Sequence, residues 1–125
     1  MTLAPGLTAS VEIVVCDSDT ATAMGSGNVP ALATPRLLAL AEAATVTALA
    51  GHLHDHETSV GTRVQLEHHR ATGIGKRVVA HAELAQVDGR LLRFTVRAED
   101  EEGLLVGRGE VTRMVVNRES FMGQG

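Results

Sequence analysis

The sequence is poor in aromatic residues and in cysteine. Phe94 and Phe121 are its only aromatic side chains, with no Trp and no Tyr. An aromatic cage for a quaternary ammonium group, or a stacking platform for nucleic-acid bases, needs more rings than this. The single cysteine, Cys16, excludes an intramolecular disulfide and a zinc–thiolate cluster. Because Cys16 follows an apolar run, we expect a buried and unreactive thiol.

Strong charge and uninterrupted apolar runs are also missing. A net charge of −4 argues against nucleic acid as a partner, because such proteins carry a basic footprint. Arg36 and Glu42 interrupt the most apolar segment, so we expect no membrane span. The first fifteen residues lack the basic start of a secretory signal, and we expect a cytoplasmic protein. The length of 125 residues and the apolar content of 44% predict one domain over residues 1–125.

Residues 34–53, TPRLLALAEAATVTALAGHL, predict the helix around which the domain is organised. Thr34 is a good N-cap, Pro35 suits the first helical position, and Gly51 suits the end. A surface helix keeps one polar face, but this helix is apolar on nearly every side. We therefore expect the rest of the domain to enclose it.

Most of the remaining chain predicts β-strands. Residues 17–33 are small, polar and Gly-rich, as in a functional loop. Asp88-Gly89 predicts a hairpin, and residues 71–75 predict another hairpin turn. The predicted order is β–loop–α–β–β–β–β, an α+β fold in which a long central helix lies against a curved antiparallel sheet. The predicted strands are residues 10–16, 58–69, 76–87, 90–99 and 104–117, with Gly107 and Gly109 allowing a bulge or a close backbone approach.

Glu42 and His68 are the first candidates for chemistry. A carboxylate in an apolar helix is costly to bury unpaired, so Glu42 has either a structural partner or the role of a base or nucleophile. Strict alternation puts His68 on one strand face with Val60, Val64 and Leu66, and that face should look toward the helix. His69 should look away. A histidine on such a face is either structural or catalytic, and a facing carboxylate favours the second reading.

Thr34 is the third candidate. Its hydroxyl could simply cap the helix, or the free N–H groups of the helix start could hold an oxyanion beside it. Thr34 and Glu42 are eight residues apart, about 12 Å along a helix axis, so they cannot touch along one straight helix. Either Thr34 lies in a turn folded back before the helix, or a second subunit completes the site.

Other motifs are weaker. His52 and His56 have the spacing of a helical metal pair, but no third ligand is fixed nearby, and a solvated loop is the favoured reading over a metal site. Residues 72–76 lack the first glycine and the Ser/Thr of a phosphate-binding loop. No Gly-x-Ser-x-Gly elbow is present, which excludes hydrolases of that type.

These residues together resemble the hotdog-fold acyl-CoA thioesterases, and among them the fluoroacetyl-CoA thioesterases most closely. The similarity runs from about Thr8 to Phe121. It is carried by the segments Ala33-Thr34, Glu42, Ser59-Val60-Gly61-Thr62, His68, Ala82-Glu83-Leu84, Val87-Asp88-Gly89-Arg90 and Gly107-x-Gly109 with Arg113.

The resemblance implies a hotdog fold that hydrolyses an acyl-CoA or acyl-carrier thioester. It implies that Thr34, Glu42 and His68 are catalytic, and that Gly61 and Arg113 line or support the acyl pocket. Asn28, in the segment that matches the lid, is a third expected substrate contact. It further implies a homodimer joined through sheet edges, with pairing of dimers left open, and no cofactor or metal beyond the CoA of the substrate.

One departure from the family pattern concerns specificity. The lid of the fluoroacetyl-CoA enzymes carries bulky aromatics, whereas residues 25–30 here, GSGNVP, contain none. We therefore expect a small or medium acyl group other than fluoroacetyl. A non-catalytic acyl-CoA-binding module and a hotdog enoyl-thioester hydratase or dehydratase are the alternative functions.

Overall fold

A computed structural model describes residues 3–124; residues 1, 2 and 125 of the predicted domain lie outside this part. Five antiparallel strands form one sheet, and a sixteen-residue helix packs against it. This confirms the predicted α+β layout of a long helix against an antiparallel sheet. The strands are β1 (Thr8–Val14), β2 (Glu57–His68), β3 (Arg77–Asp88), β4 (Leu91–Asp100) and β5 (Leu105–Asn117). The helices are α1 (Ala21–Met24), α2 (Thr34–Leu49) and α3 (Arg118–Gln124), with a 3₁₀ turn at Asp17–Asp19.

The order of the strands corrects one prediction. The sheet runs β1-β3-β4-β5-β2, so β3, β4 and β5 form a meander but β2 and β3 are not neighbours. Residues 69–76 are therefore a crossover and not a hairpin turn. The backbone of this crossover forms hydrogen bonds with β5 and with the segment before α2. The His69 N–H donates to the Val106 carbonyl, and the Thr72 carbonyl accepts from the Leu32 N–H. The hairpin predicted at Asp88-Gly89 is confirmed, with Gly89 at φ +60°.

The backbone of β5 passes unusually close to β2. A Cβ atom at Gly107 would meet the Glu67 carbonyl oxygen, and one at Gly109 would overlap the carbonyl of Gln65. The close approach predicted for these two glycines is therefore confirmed. It matters for function because His68, at the end of β2, lies directly opposite Gly107.

Helix α2 is enclosed on one side only, which corrects the expectation that the domain wraps it. The buried residues that face the sheet are Leu37, Leu40, Ala41, Ala44, Thr45, Ala48 and Leu49. The opposite side is exposed and apolar, with Ala39, Ala43 and Ala50 around a half-exposed Val46. A single chain provides one sheet layer, and one layer covers one face of a helix.

The loop before α2 is tied down by Asp19. Its carboxylate accepts hydrogen bonds of 2.9 Å from the Cys16 N–H and from Arg36 Nε. The Cys16 N–H is the main cause that holds the pKa of Asp19 below its usual value, against the opposing effect of burial, and the Cys16 thiol and the Arg36 guanidinium lower it further. Cys16 itself is exposed, contrary to expectation, because β1 ends at Val14 and the chain turns out of the sheet.

Candidate active site

Thr34 and His68 meet at the start of α2. Thr34 Oγ1 and His68 Nδ1 share a hydrogen bond of 2.8 Å, which joins the first residue of the helix to the last residue of β2. The predicted capping role of Thr34 is wrong, because the N-cap is Ala33, which has no capping side chain. The shift of one residue frees the threonine hydroxyl for the histidine.

The surroundings of His68 favour a neutral ring. Burial lowers the pKa of His68, the carbonyl of Arg70 opposes this, and the charge of His69 adds a smaller lowering effect. His68 Nε2 is buried and makes no hydrogen bond within residues 3–124. The Arg70 carbonyl thus acts on the ring without a well-aligned bond. A neutral imidazole with Nδ1 at the threonine hydroxyl is suited to accepting a proton.

Glu42 and Arg113 form a second cluster, one strand away. Arg113 Nη1 donates to Glu42 Oε2 at 3.3 Å, and burial is the main cause that lowers the pKa of Arg113. The Arg113 side chain is 7% exposed, whereas that of Glu42 is 32% exposed. The prediction of a buried Glu42 is therefore corrected: within one chain its carboxylate reaches solvent on the open side of α2.

Ser59 holds Arg113 in place. Arg113 Nε donates to Ser59 Oγ at 2.9 Å, and Nη2 donates to the Ser59 carbonyl at 3.1 Å. The remaining nitrogen is left for Glu42 and, at 3.5 Å, for Thr45 Oγ1. A planar guanidinium fixed by two bonds presents the third in a defined direction.

Gly61 makes room for the carboxylate. It lies opposite Arg113 in the β2–β5 register, at a bulge of β2. A Cβ atom on Gly61 would overlap Glu42 Oε2. The carboxylate therefore rests against bare backbone, which only glycine provides at this position.

The single chain separates the predicted catalytic residues into two groups. Thr34 bonds to His68, Glu42 bonds to Arg113 beside Gly61, and no hydrogen bond in the described chain joins Glu42 to His68. The separation follows from the eight residues of straight helix between Thr34 and Glu42, about 12 Å. Asn28 lies in an exposed part of the loop before α2, with no side-chain hydrogen bond within residues 3–124.

Nothing in the sequence predicts that Ser59 and Thr45 bind Arg113. A signal for the cluster was present in β5, where Arg113 alternates with Val111 and Val115 on the inward face. A cation on such a face needs an anionic partner. Glu42 is the carboxylate that the apolar helix offers.

The residues that the structure describes can also be searched for a metal site and for a membrane-spanning helix. Within residues 3–124, no three His, Cys, Asp or Glu side chains come together as metal ligands, and the rings of His54 and His56 stack with centroids 5.8 Å apart. No helix in the described range is long and apolar enough to cross a membrane.

Comparison with known proteins establishes the family. The profile of the fluoroacetyl-CoA-specific thioesterase family (FlK) matches residues 15–119. This chain belongs to that family. A curated fluoroacetyl-CoA thioesterase from Streptantibioticus cattleyicolor is 38% identical over 89 residues, which are 71% of this chain and 63% of that protein. The chain thus aligns with somewhat less than two thirds of that relative's length.

Solved structures that are similar to this chain include an enzyme of the fluoroacetyl-CoA-specific thioesterase family. A variant of FlK in complex with acetyl-CoA matches with a TM-score of 0.91 and 29% identity, covering 98% of this chain and 96% of that one. A hot-dog-like protein from Thermanaerovibrio acidaminovorans, 22% identical, matches with a TM-score of 0.87 over 96% of this chain and 88% of its own. The latter likeness concerns the fold alone, and it agrees with the predicted hotdog architecture.

Proposed function

We propose that the protein hydrolyses a small acyl-CoA thioester to the free acid and the thiol. The observation that supports this most directly is a pair of clusters beside β2: a threonine–histidine hydrogen bond at its C-terminal end, and a glutamate of α2 held by an arginine of β5 next to Gly61. Family membership and the relative of 38% identity agree with it. Asn28, Gly61 and Arg113 belong to the substrate pocket in this proposal, and no cofactor takes part beyond the CoA of the substrate.

Glu42 is the proposed nucleophile or general base. Arg113 keeps one carboxylate oxygen fixed at 3.3 Å, and the exposed remainder of the carboxylate is open to a thioester carbonyl or to a water molecule. Arg113 itself is fully engaged by the protein, so it positions Glu42.

His68 and Thr34 serve the other side of the reaction. The neutral imidazole takes up a proton and returns it to the departing thiolate. The threonine hydroxyl orients the ring, and the N–H groups at the start of α2 stabilise the oxygen that becomes negative.

We further propose a homodimer that brings the two clusters together. β2 is an edge strand with β5 as its only neighbour in the described sheet. Residue 62 is the extra residue of the β2 bulge, so residues 61, 64, 66 and 68 all face α2. If two copies of β2 pair antiparallel about a two-fold axis at residue 65, residue 66 lies opposite residue 64, and the bulge brings residue 68 opposite residue 61. Gly61 contacts Glu42 within its own chain, so this pairing carries the partner subunit's Glu42 toward His68.

The open side of α2 supports the same arrangement. It is apolar around Val46, which is 51% exposed, and it carries Glu42. A second subunit would cover this surface and remove the carboxylate from bulk water. Desolvation strengthens the electrostatic interactions on which the proposed chemistry depends.

The substrate proposal is an acyl group of acetyl size or somewhat larger. A related enzyme structure contains acetyl-CoA. In this chain the loop segment Gly25 to Pro30 is exposed and has no aromatic ring to select a fluorinated group. CoA thioesters are cytoplasmic metabolites, and we place the protein in that compartment.

Free-thiol release from a panel of acyl-CoA substrates tests the activity. We expect Glu42→Gln and His68→Ala each to lower kcat/KM by at least about 100-fold. Glu110→Gln and His54→Ala are matched controls, because both residues are exposed and neither bonds to a residue of the two clusters within residues 3–124, so they should keep wild-type rates. Variants that match wild type would contradict the assignment. Binding without turnover would indicate an acyl-CoA-binding module, and loss of enoyl-CoA absorbance would indicate a hydratase.

Mixing the two inactive variants tests the shared site. Consider a dimer with one Glu42→Gln subunit and one His68→Ala subunit. If each site takes Glu42 from one subunit and His68 from the other, one of its two sites has both residues intact. Equal mixing with subunit exchange should then restore about one quarter of the wild-type activity. A mixture that stays as inactive as either variant would place the site within one subunit.

A further inference from the structure

A second set of chemically active side chains lies on the sheet face opposite to α2. Ser10 Oγ is 2.6 Å from His81 Nδ1, and His81 Nε2 is 2.8 Å from Glu99 Oε1. The three residues belong to β1, β3 and β4, so one hydrogen-bonded chain crosses three adjacent strands. A nucleophile, a base and a carboxylate in this order are the components of a serine-hydrolase triad.

The sheet register explains why these side chains meet. Ser10 lies directly opposite His81, and His81 opposite Arg97, two residues from Glu99 on the same face of β4. At the two ends of β1, the Val15 N–H donates to the Lys76 carbonyl and the Leu84 N–H donates to the Leu7 carbonyl. The backbone groups that bond to β3 therefore belong to the odd-numbered residues of β1. Ser10 therefore belongs to a non-hydrogen-bonded pair, in which opposing side chains are closest.

Charge and tautomer are consistent with an activated serine. The hydrogen bond from His81, followed by the charge of Arg97, lowers the pKa of Glu99, so that its carboxylate is an anion at neutral pH. An anionic Glu99 accepts the proton of His81 Nε2. Nδ1 then has its lone pair toward the Ser10 hydroxyl, as a general base requires.

The site has access and a source of stabilisation for an oxyanion. Ser10 is exposed, and a cleft of about 310 Å³ lined by Ser10, His81, Thr95 and Arg97 opens beside it. β1 is the other edge strand, with β3 as its only neighbour in the described sheet. The N–H of Ser10 points to this open edge, since the even-numbered residues of β1 do not bond to β3.

We propose that Ser10, His81 and Glu99 form a second acyl-transfer site for small activated esters and thioesters. The Ser10 oxygen forms a bond to the acyl carbon while His81 Nδ1 takes the hydroxyl proton. The bond from the acyl carbon to the leaving group breaks, and the leaving thiolate or phenolate receives the proton from His81. Water attacks the resulting acyl-serine ester with His81 again as base, releasing the acid and restoring Ser10. This site shares no residue with the Glu42 and His68 clusters and does not depend on their function.

The test uses full-length protein with Glu42→Gln and His68→Ala already introduced, so that the main site cannot contribute. The probe is p-nitrophenyl acetate, with p-nitrophenol release followed by absorbance and the acetylated residue located by peptide mass spectrometry. We expect acetate on Ser10, and adding Ser10→Ala should reduce the release rate at least about tenfold, with Glu99→Gln giving a smaller loss. Ser120→Ala changes an exposed serine on α3 that has no histidine partner within residues 3–124, and it should leave the rate unchanged.

Two results would overturn the proposal. One is a release rate that Ser10→Ala does not alter, and the other is acetylation at sites other than Ser10. His81→Gln separates activation from simple exposure, because it keeps a polar side chain at the same place and removes the base. Equal acetylation of Ser10 in His81→Gln and in its parent would mean that the histidine does not activate the serine.

Discussion

Replacement of Arg113 by methionine is the most informative single perturbation of the candidate site. Methionine has a similar length and keeps the apolar contacts, but it removes the guanidinium that joins β2, β5 and α2. Two acceptors on Ser59, at 2.9 and 3.1 Å, lose their donor. Glu42 loses its cation at 3.3 Å.

The expected loss of stability follows from these three contacts. Each acceptor on Ser59 left unsatisfied costs about 1 kcal/mol. The ion pair adds up to about 1 kcal/mol, since Glu42 is 32% exposed and water screens the pair. The total is about 2–3 kcal/mol. With an unfolding entropy of roughly 2.1 cal/mol/K per residue, the midpoint should fall by about 8–12 °C.

Calorimetry and thiol release together provide the assay. Arg93→Met is the matched control, because Arg93 is exposed on the neighbouring strand β4 and, in the part of the chain that the structure describes, its side chain bonds only to Gln86, at 3.3 Å. Arg113→Met should also lower kcat about 10–100-fold, because Glu42 loses its fixed orientation. Arg113→Lys should lie between wild type and methionine, since lysine keeps the charge but not the fork. Midpoints and rates equal to those of Arg93→Met would refute the positioning role of Arg113.

Two further predictions concern Gly61 and His68. Gly61→Ala places a methyl group onto Glu42 Oε2 and should lower turnover at least about tenfold. Gly73→Ala is the control, because a Cβ atom there meets open space, and it should not lower turnover. Equal thiol-release rates for the two variants would contradict the packing argument. Burial lowers the pKa of His68 in the folded protein below its ordinary 6.5, so the folded state binds fewer protons than the unfolded chain. The stabilising contribution of a neutral His68 is therefore complete above pH 6.5. It disappears as the pH falls through the lower pKa that His68 has in the folded state. Unfolding free energies of wild type and His68→Gln should diverge as the pH rises toward neutrality, whereas His54→Gln, a change at an exposed histidine, should follow wild type. Parallel curves for wild type and His68→Gln would be inconsistent with a buried His68.

Several features of the site could be predicted from the residues before any coordinates. Alternation along β2 places His68 toward the helix, and the hydrogen bond to Thr34 confirms this orientation. The glycines of β5 predict a close approach of two strands, which the β2–β5 pair shows. Both inferences rest on local periodicity and on the size of a side chain, and both of these properties can be read directly from the sequence.

Other features depend on contacts that are remote in the chain. Ser59 and Arg113 are 54 residues apart, and nothing in either segment indicates that one holds the other. The crossover at residues 69–76 looks like a hairpin turn in sequence, because turn residues do not reveal which strands they connect. The exposed apolar side of α2 has the same cause, since the pattern of a helix shows that it has apolar faces but not what covers them.

The sequence by itself determined the five strands and the long helix, the family pattern, and the identity of the threonine, glutamate and histidine. The tertiary structure alone decided how they are grouped: Thr34 with His68 at the C-terminal end of β2, and Glu42 with Arg113 of β5 beside Gly61. The physical reason is that hydrophobic periodicity and side-chain size act over a few neighbouring residues. The grouping of side chains depends on strand order and register, which the packing of the whole chain fixes.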